Sequence, residues 1–349
     1  MSKQMRQQIV SGVLGALMLA FASFSDAQDY VRTIAAAPEH TLYFPQFLAV
    51  DEANDSNVVI SNYTVGSFDV YMSTGTFVRS ITGAFNSPTG VAIDTANDNN
   101  IVGIAAGTAV LVFKSDGTLV TSFIPSGPNA LEVGYGVAID TGNGSNILVA
   151  DTGGHNRVEV FTSTGTFVRE IAGTGANALS DPRDVAVDLA NGSNVLVADA
   201  DNNRIQVFTS NGDYVRTIAG SGASALFSPT SVDVDAAHNS NVVVTDNSNR
   251  VFVFTSTGSF VRIIDPPTGA GGDDTALHGT NGVAVDTANQ SNILVADSFN
   301  NRIQVYSNLA APPPPPVPVS VPLSRLWLLF SIALLLAAAG YRTMRKGRL

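Results

Sequence analysis

The sequence predicts an all-β chain closed into a six-bladed propeller, and three observations carry that prediction. Residues 184–220, DVAVDLANGSNVLVADADNNRIQVFTSNGDYVRTIAG, hold four short alternating runs (DVAVD, VLVAD, RIQVF and YVRTI) bounded by Gly, Asn, Asp or Ser. Val- and Ile-rich runs of this length with turn residues between them predict antiparallel strands joined by hairpins. The first run recurs six times and ends each time in aspartate: Asp51, Asp94, Asp140, Asp188, Asp235 and Asp286. Steps of 43 to 51 residues between these aspartates match a four-stranded propeller blade. Third, the last copy has three strands, 282–286, 292–297 and 302–306, whereas Tyr30-Val31-Arg32-Thr33-Ile34 repeats Tyr214 to Ile218 letter for letter. A first strand that completes the last blade closes a ring and removes the open sheet edge, which a solenoid has no use for.

Each strand of the blade has its own signature. The second ends in Asp and the third opens with Arg, as in Asp151/Arg157, Asp199/Arg204, Asp246/Arg250 and Asp297/Arg302, across an Asn-rich turn. Opposite charges flanking one hairpin predict a structural pair, since catalysis has no need of four copies. Blades 1 and 2 lack the pair and are the divergent ones. The fourth strand follows a Thr-, Asn- or Asp-Gly hairpin turn, and the aromatic or Leu after it is expected to pack between blades. Loops between first and second strands, such as DEANDSN and DTANQSN, space Asp and Asn oxygens as a calcium loop does. They lack its closing Glu, and Asx-turn chemistry accounts for their composition as well.

Composition narrows the function. The chain has no cysteine, which excludes disulfides, thiolate catalysis and Cys-ligated metal. Its formal net charge is −11, and four cations, Arg342, Arg345, Lys346 and Arg348, stand in the last eight residues, so the propeller itself is more acidic still. Such a surface repels phosphate backbones, and no nucleic-acid partner is expected. Nucleophile elbow, Walker loop and dinucleotide fingerprint are all missing from the sequence.

The pattern P-x-x-VAVD, N-[VI]-[LV]-VAD, NRIQVF, G-x-[FY]-VR-x-I-[AT]-G resembles the NHL repeat over residues 29–307, best at 182–220 and 282–306. The resemblance implies a six-bladed propeller that binds proteins or, in some members, RNA. It also relates the chain to propeller enzymes: amidating lyases, lactonases and strictosidine-synthase-like proteins. The lyase relatives make His40, His155 and His278 candidate zinc ligands, because all three fall in loops predicted on one face. His238 falls on the other, no histidine sits in a spaced motif, and the lyases' cysteines are lacking here. We therefore expect no cofactor and no catalytic residue. The longest inter-blade loop, 265–282, departs most from the repeat. With Tyr43 beside it, Asp273, Asp274 and His278 form the expected ligand rim.

The ends carry an address. Residues 1–27 read as a signal peptide: Lys3 and Arg6, an apolar run, then Ser25-Asp26-Ala27. The propeller spans 28–310. A proline-rich linker (311–325), an apolar helix expected to span the membrane (326–341) and a basic cytoplasmic tail (342–349) follow. VPLSRLW (321–327) resembles the IPTL-type, PEP-CTERM-like tails thought to be processed by an exosortase, although the Thr and the acidic residue of that pattern are missing. The tail either anchors the chain at the inner membrane, facing the periplasm, or is cut during export to the cell surface. The expected function is an exported, envelope-associated, non-enzymatic scaffold for a protein or extracellular polymer. The alternative is a metal-dependent propeller lyase or hydrolase.

Overall fold

The computed structural model describes residues 30–35, 40–83, 86–264 and 276–308. The chain divides into two units, Met1–Asn308 and Leu309–Leu349, and every described residue belongs to the first. The expected signal peptide, Asp273, Asp274, the proline-rich segment, the apolar run and the basic C-terminal residues lie outside the described residues. Among the described residues no helix is long and apolar enough to cross a membrane.

Six four-stranded antiparallel sheets form the ring. Blade 1 is β2 (Pro45–Asp51), β3 (Asn57–Asn62), β4 (Ser67–Tyr71) and β5 (Phe77–Thr82). Blade 2 is β6 (Val91–Asp94), β7 (Asn100–Ala105), β8 (Ala109–Phe113) and β9 (Leu119–Phe123). Blade 3 is β10 (Val133–Asp140), β11 (Asn146–Thr152), β12 (Arg157–Phe161) and β13 (Phe167–Ile171). Blade 4 is β14 (Pro182–Asp188), β15 (Asn194–Asp199), β16 (Arg204–Phe208) and β17 (Tyr214–Ile218). Blade 5 is β18 (Pro229–Asp235), β19 (Asn241–Asp246), β20 (Arg250–Phe254) and β21 (Phe260–Ile264). Blade 6 is β22 (Thr280–Asp286), β23 (Asn292–Asp297), β24 (Arg302–Tyr306) and, from the N-terminal side, β1 (Tyr30–Ala35). The closing strand is therefore in place, with Ile34 opposite Ile303 and Ala35 opposite Arg302.

The core lies between blades rather than within them. Six apolar clusters each draw on two neighbouring blades, such as Leu196, Ile205, Val207 and Ile218 of blade 4 against Val242, Val244, Phe252 and Phe254 of blade 5. The closing strand joins the cluster between blades 6 and 1 through fully buried Ile34. One ring from the end of each third strand (Tyr71, Phe113, Phe161, Phe208, Phe254, Tyr306) is buried, and each such side chain contributes about 1.5–3 kcal/mol.

One expectation is corrected here. The residue that opens the fourth strand packs between blades only in blade 1, where partly buried Phe77 lies against the cluster shared with blade 6; Leu119, Phe167, Tyr214 and Phe260 are all exposed. The fourth strand is an edge of its sheet, and in blade 4 its first two residues, Tyr214 and Val215, are both exposed; five of these hairpins also carry a bulge. In blade 4, Val207 opposes Arg216 whereas Phe208 opposes Tyr214, so Val215 has no opposite number. The turn glycine, Gly212, takes φ 94° to close this hairpin. Tyr214, opposite Phe208, meets that buried ring edge-on, at 6.4 Å between ring centroids.

Inner strands approach so closely that a small residue is required. A Cβ on Gly136 would lie 2.6 Å from the Asp184 Cα of the next blade. The six inner strands enclose a central cavity of about 240 Å³.

Candidate functional site

On the face that carries the inter-blade loops, the recurring Asp and Arg form clamps. Each of Asp151, Asp199, Asp246 and Asp297 is fully buried and accepts a backbone N–H from the loop leading into its own blade. For Asp199 the donor is Ser180 N at 2.7 Å, and for Asp297 it is His278 N at 2.7 Å. Arg204 and Arg302 hold their aspartates at 2.6 Å, whereas Arg157 and Arg250 stand 3.6 and 3.8 Å from theirs. Arg204 also donates to the carbonyls of Ala176 and Ala178, so one guanidinium ties the carboxylate to the loop it supports.

The asparagine that ends each of these turns links blades to one another. Asn156, Asn203, Asn249 and Asn301 all have φ between 52° and 61°. In this left-handed conformation Asn is favoured over other non-glycine residues. Their Oδ1 atoms accept N–H groups of the next inter-blade loop: Asp181, Ser228, Gly279 and, across the closure of the ring, Phe44.

The opposite face holds a second set. The aspartate closing each first strand binds a side chain three residues on: Asn54, Asn97, Asn143, Asn191, His238 or Asn289, at 2.6–2.7 Å. In four blades its other oxygen accepts a serine hydroxyl from the following blade: Ser145, Ser240, Ser291 and Ser56. The loops that resemble calcium loops thus spend their carboxylates on their own turns and on their neighbours. Asp51 Oδ1 and Asp140 Oδ1 have no hydrogen-bond partner: blade 2 carries Asn99 where the other loops carry serine, and Ser193 of blade 4 does not bond Asp140 Oδ1.

The three candidate histidines have separate partners. His40 stacks on Phe77 at 3.5 Å, His155 Nδ1 binds Asp151 at 2.8 Å, and His278 lies against Phe299 at 4.9 Å. Among the described residues no group of three or more His, Asp or Glu is arranged to hold a metal ion.

Three buried carboxyls break the repeat. Asp184 is pushed up to about 7 and Asp233 to about 6, chiefly by burial in the wall of the central cavity. Asp184 accepts Val232 N and Ser231 Oγ, Ser231 Oγ accepts Val283 N, and Asp233 accepts Val285 N. These bonds satisfy inner-strand edges that face the cavity in blades 5 and 6. Glu159 stands where blades 4 and 6 have Gln206 and Gln304. Its Oε1 lies 2.6 Å from Arg157 Nη2 without hydrogen-bond alignment, its Oε2 has no partner, and burial pushes it up to about 7.

Two surfaces are built from the departures. In blade 2, Ala105 and Ala109 replace the Asp and Arg of the clamp, and they face each other in the register that pairs Asp199 with Arg204. A groove of about 610 Å³ opens there, lined by Ala105, Ala109, Leu111, Phe113, Leu119 and Ile124 among others. Leu119 is 53% and Ile124 70% exposed. At the seam between blades 6 and 1, Phe44, Tyr63 and Phe299 meet: Phe44 lies 6.1 Å from Tyr63 and 5.4 Å from Phe299. Of the expected rim, His278 lies against Phe299 in space and exposed Tyr43 precedes Phe44 in the chain. The rings themselves went unrecognised in the sequence, although Phe299 stands where blade 4 has Asp201.

A family model for the NHL repeat matches residues 179–208. No curated protein sequence matches the chain. Among solved structures, a streptogramin B lyase is similar with TM-score 0.54 and 15% identity, over 80% of this chain and 87% of that one. A catalytically inactive histidine-to-alanine variant of virginiamycin B lyase from Staphylococcus aureus, with quinupristin, has TM-score 0.53 and 14% identity over 79% and 87%. Repeat and topology together make this chain a six-bladed β-propeller that carries the NHL repeat.

Proposed function

We propose that this propeller is a non-enzymatic binding module, exported by residues 1–27 and held at, or released from, the cell envelope through its C-terminal segment. One observation carries the binding reading. The polar side chains that recur from blade to blade are spent on clamps and latches, and where blade 2 drops them it exposes an apolar groove. Exposed apolar surface at a break in a repeat favours a partner over a reaction. The partner is a protein or an extracellular polymer.

The lyase alternative has one observation in its favour beyond the shared fold. His155 is oriented by buried Asp151 through Nδ1 while 40% of its side chain stays exposed, the posture of a general base.

A photo-activated cross-linking residue placed at Leu119 or Ile124 of the full chain in cells tests the proposal. The same residue at Tyr214 or Ala219, the matching positions of blade 4, is the control. A discrete adduct from blade 2 and none from blade 4 is the expected result. Equal adducts from both, or none from either, would overturn the groove as the contact surface.

A further inference from the structure

We infer that the aromatic corner at the seam of blades 6 and 1 receives a cationic side chain, lysine or arginine, of a protein partner; this rests on the binding-module reading and adds a second contact to it. Three positions of the repeat turn aromatic at this one seam. Phe299 replaces the Asp201 of blade 4, and Tyr63 stands where blade 4 has Ala200. Phe44 occupies the position filled elsewhere by Asp181, Ser228 or Gly279. The three arise from two loops of blade 1 and one of blade 6, and only ring closure brings them together.

The arrangement is held against local cost. Phe44 adopts φ 55°, a left-handed conformation strained for a bulky residue, and is fixed there by the Asn301 latch at 2.9 Å. Phe299 stays 59% exposed although His278 lies against it. Its ring occupies the space a side chain at residue 279 would fill: a Cβ on Gly279 would come within 2.0 Å of Phe299 Cδ2. Asp181, Ser228 and Gly279 share the left-handed φ at the matching positions, but only here does a bulky ring occupy it, and only here is the exposed turn residue that Asp201 supplies in blade 4 an aromatic. Rings kept at these two positions mark a place for a ligand.

Geometry and charge select the class of ligand. Phe44 is inclined 64° to Tyr63 and 70° to Phe299, so the rings form the walls of a corner rather than a flat platform. The broad face of a sugar ring or a planar base needs a flat platform to stack on. A compact cationic head fits a corner and is attracted to ring faces. The chain's net charge of −11 favours cations at long range, and Arg302, in the strand that follows Phe299, is already paired with Asp297.

Titration of the full chain at low salt with acetylated trilysine amide, followed by calorimetry, tests this. The expected result is saturable binding that weakens at least tenfold in Phe299→Ala and in Phe44→Gly and is retained in Phe299→Tyr. All three substitutions leave the net charge unchanged, so a loss reads the rings and not general acidity. Phe44→Gly also relieves the backbone strain, so it tests the ring without unfolding the loop. No binding of trilysine, or binding indifferent to Phe299→Ala and Phe44→Gly, would overturn the inference. So would preferential binding of a neutral glucan oligosaccharide that Phe299→Ala abolishes. Cross-linking at Leu119 is read separately, so failure here with a blade 2 adduct intact sinks only the cationic corner.

Discussion

Blade 4 and blade 2 share a backbone plan but use different side chains to hold it. In blade 4, Asp199 gathers the N–H of Ser180, the amide of Asn202 and the guanidinium of Arg204 beneath the inter-blade loop. Blade 2 puts Ala105 and Ala109 at the same paired positions and Thr121 where Arg216 stands in blade 4. It keeps the apolar interface with blade 3, where Val102, Ile104 and Val110 pack against Val137, Val149 and Phe161. The difference teaches that inter-blade burial holds the ring, and that the polar clamp is a separate layer that can be removed locally to make room for contact.

The sharpest break of that comparison is to remove one clamp and to install another. Asp199→Ala leaves Arg204 without its buried partner and is expected to cost about 3–5 kcal/mol in urea unfolding. Ala105→Asp in blade 2 also destabilises, since no cation faces the new carboxylate. Adding Ala109→Arg to it recovers part of the loss.

Next in size is a pH effect. Glu159, Asp184 and Asp233 are raised to about 7, 7 and 6, so the folded chain keeps protons that the unfolded chain has released. Stability from these groups is therefore greatest at low pH and falls as pH rises from the ordinary carboxyl range through about 7. The melting temperature is expected to be higher at pH 5 than at pH 8. Glu159→Gln, the residue of blades 4 and 6, should raise the value at pH 8 and flatten the slope. An unchanged slope in the variant would remove Glu159 from the account.

The smallest effect is a repair. Asn99→Ser supplies the hydroxyl missing beside Asp51 Oδ1 and is expected to stabilise by about 0.5–1.5 kcal/mol, measured by urea unfolding. Destabilisation would mean that the serine latch is not portable between blades.

Legibility in the sequence followed distance along the chain. Ring closure was legible because Tyr30 to Ile34 copies another blade's outer strand. The Asp/Arg clamps were legible because both partners flank one short hairpin. The asparagine latches were not: the acceptor is a side chain in a left-handed turn and the donor is a backbone N–H in the next blade. The aromatic corner was less legible still, since the latch between Phe44 and Asn301 joins residues 257 apart. The exposure of Leu119, Phe167, Tyr214 and Phe260 follows from the edge position of the fourth strand, which alternation alone does not reveal. Of the expected rim, Tyr43 precedes Phe44 in the chain and His278 lies against Phe299, but the rings of the corner come from residues that looked like ordinary turn positions.

Amide hydrogen exchange of the intact chain, resolved by strand, tests the central comparison without any substitution. Local opening is governed by how well each segment is tied to its neighbours. The account predicts that residues 104–110, at the clamp-free ends of β7 and β8, exchange measurably faster than residues 198–205 at the matching ends of β15 and β16. Equal protection of the two segments, or faster exchange in blade 4, would contradict the claim that the recurring Asp and Arg are clamps.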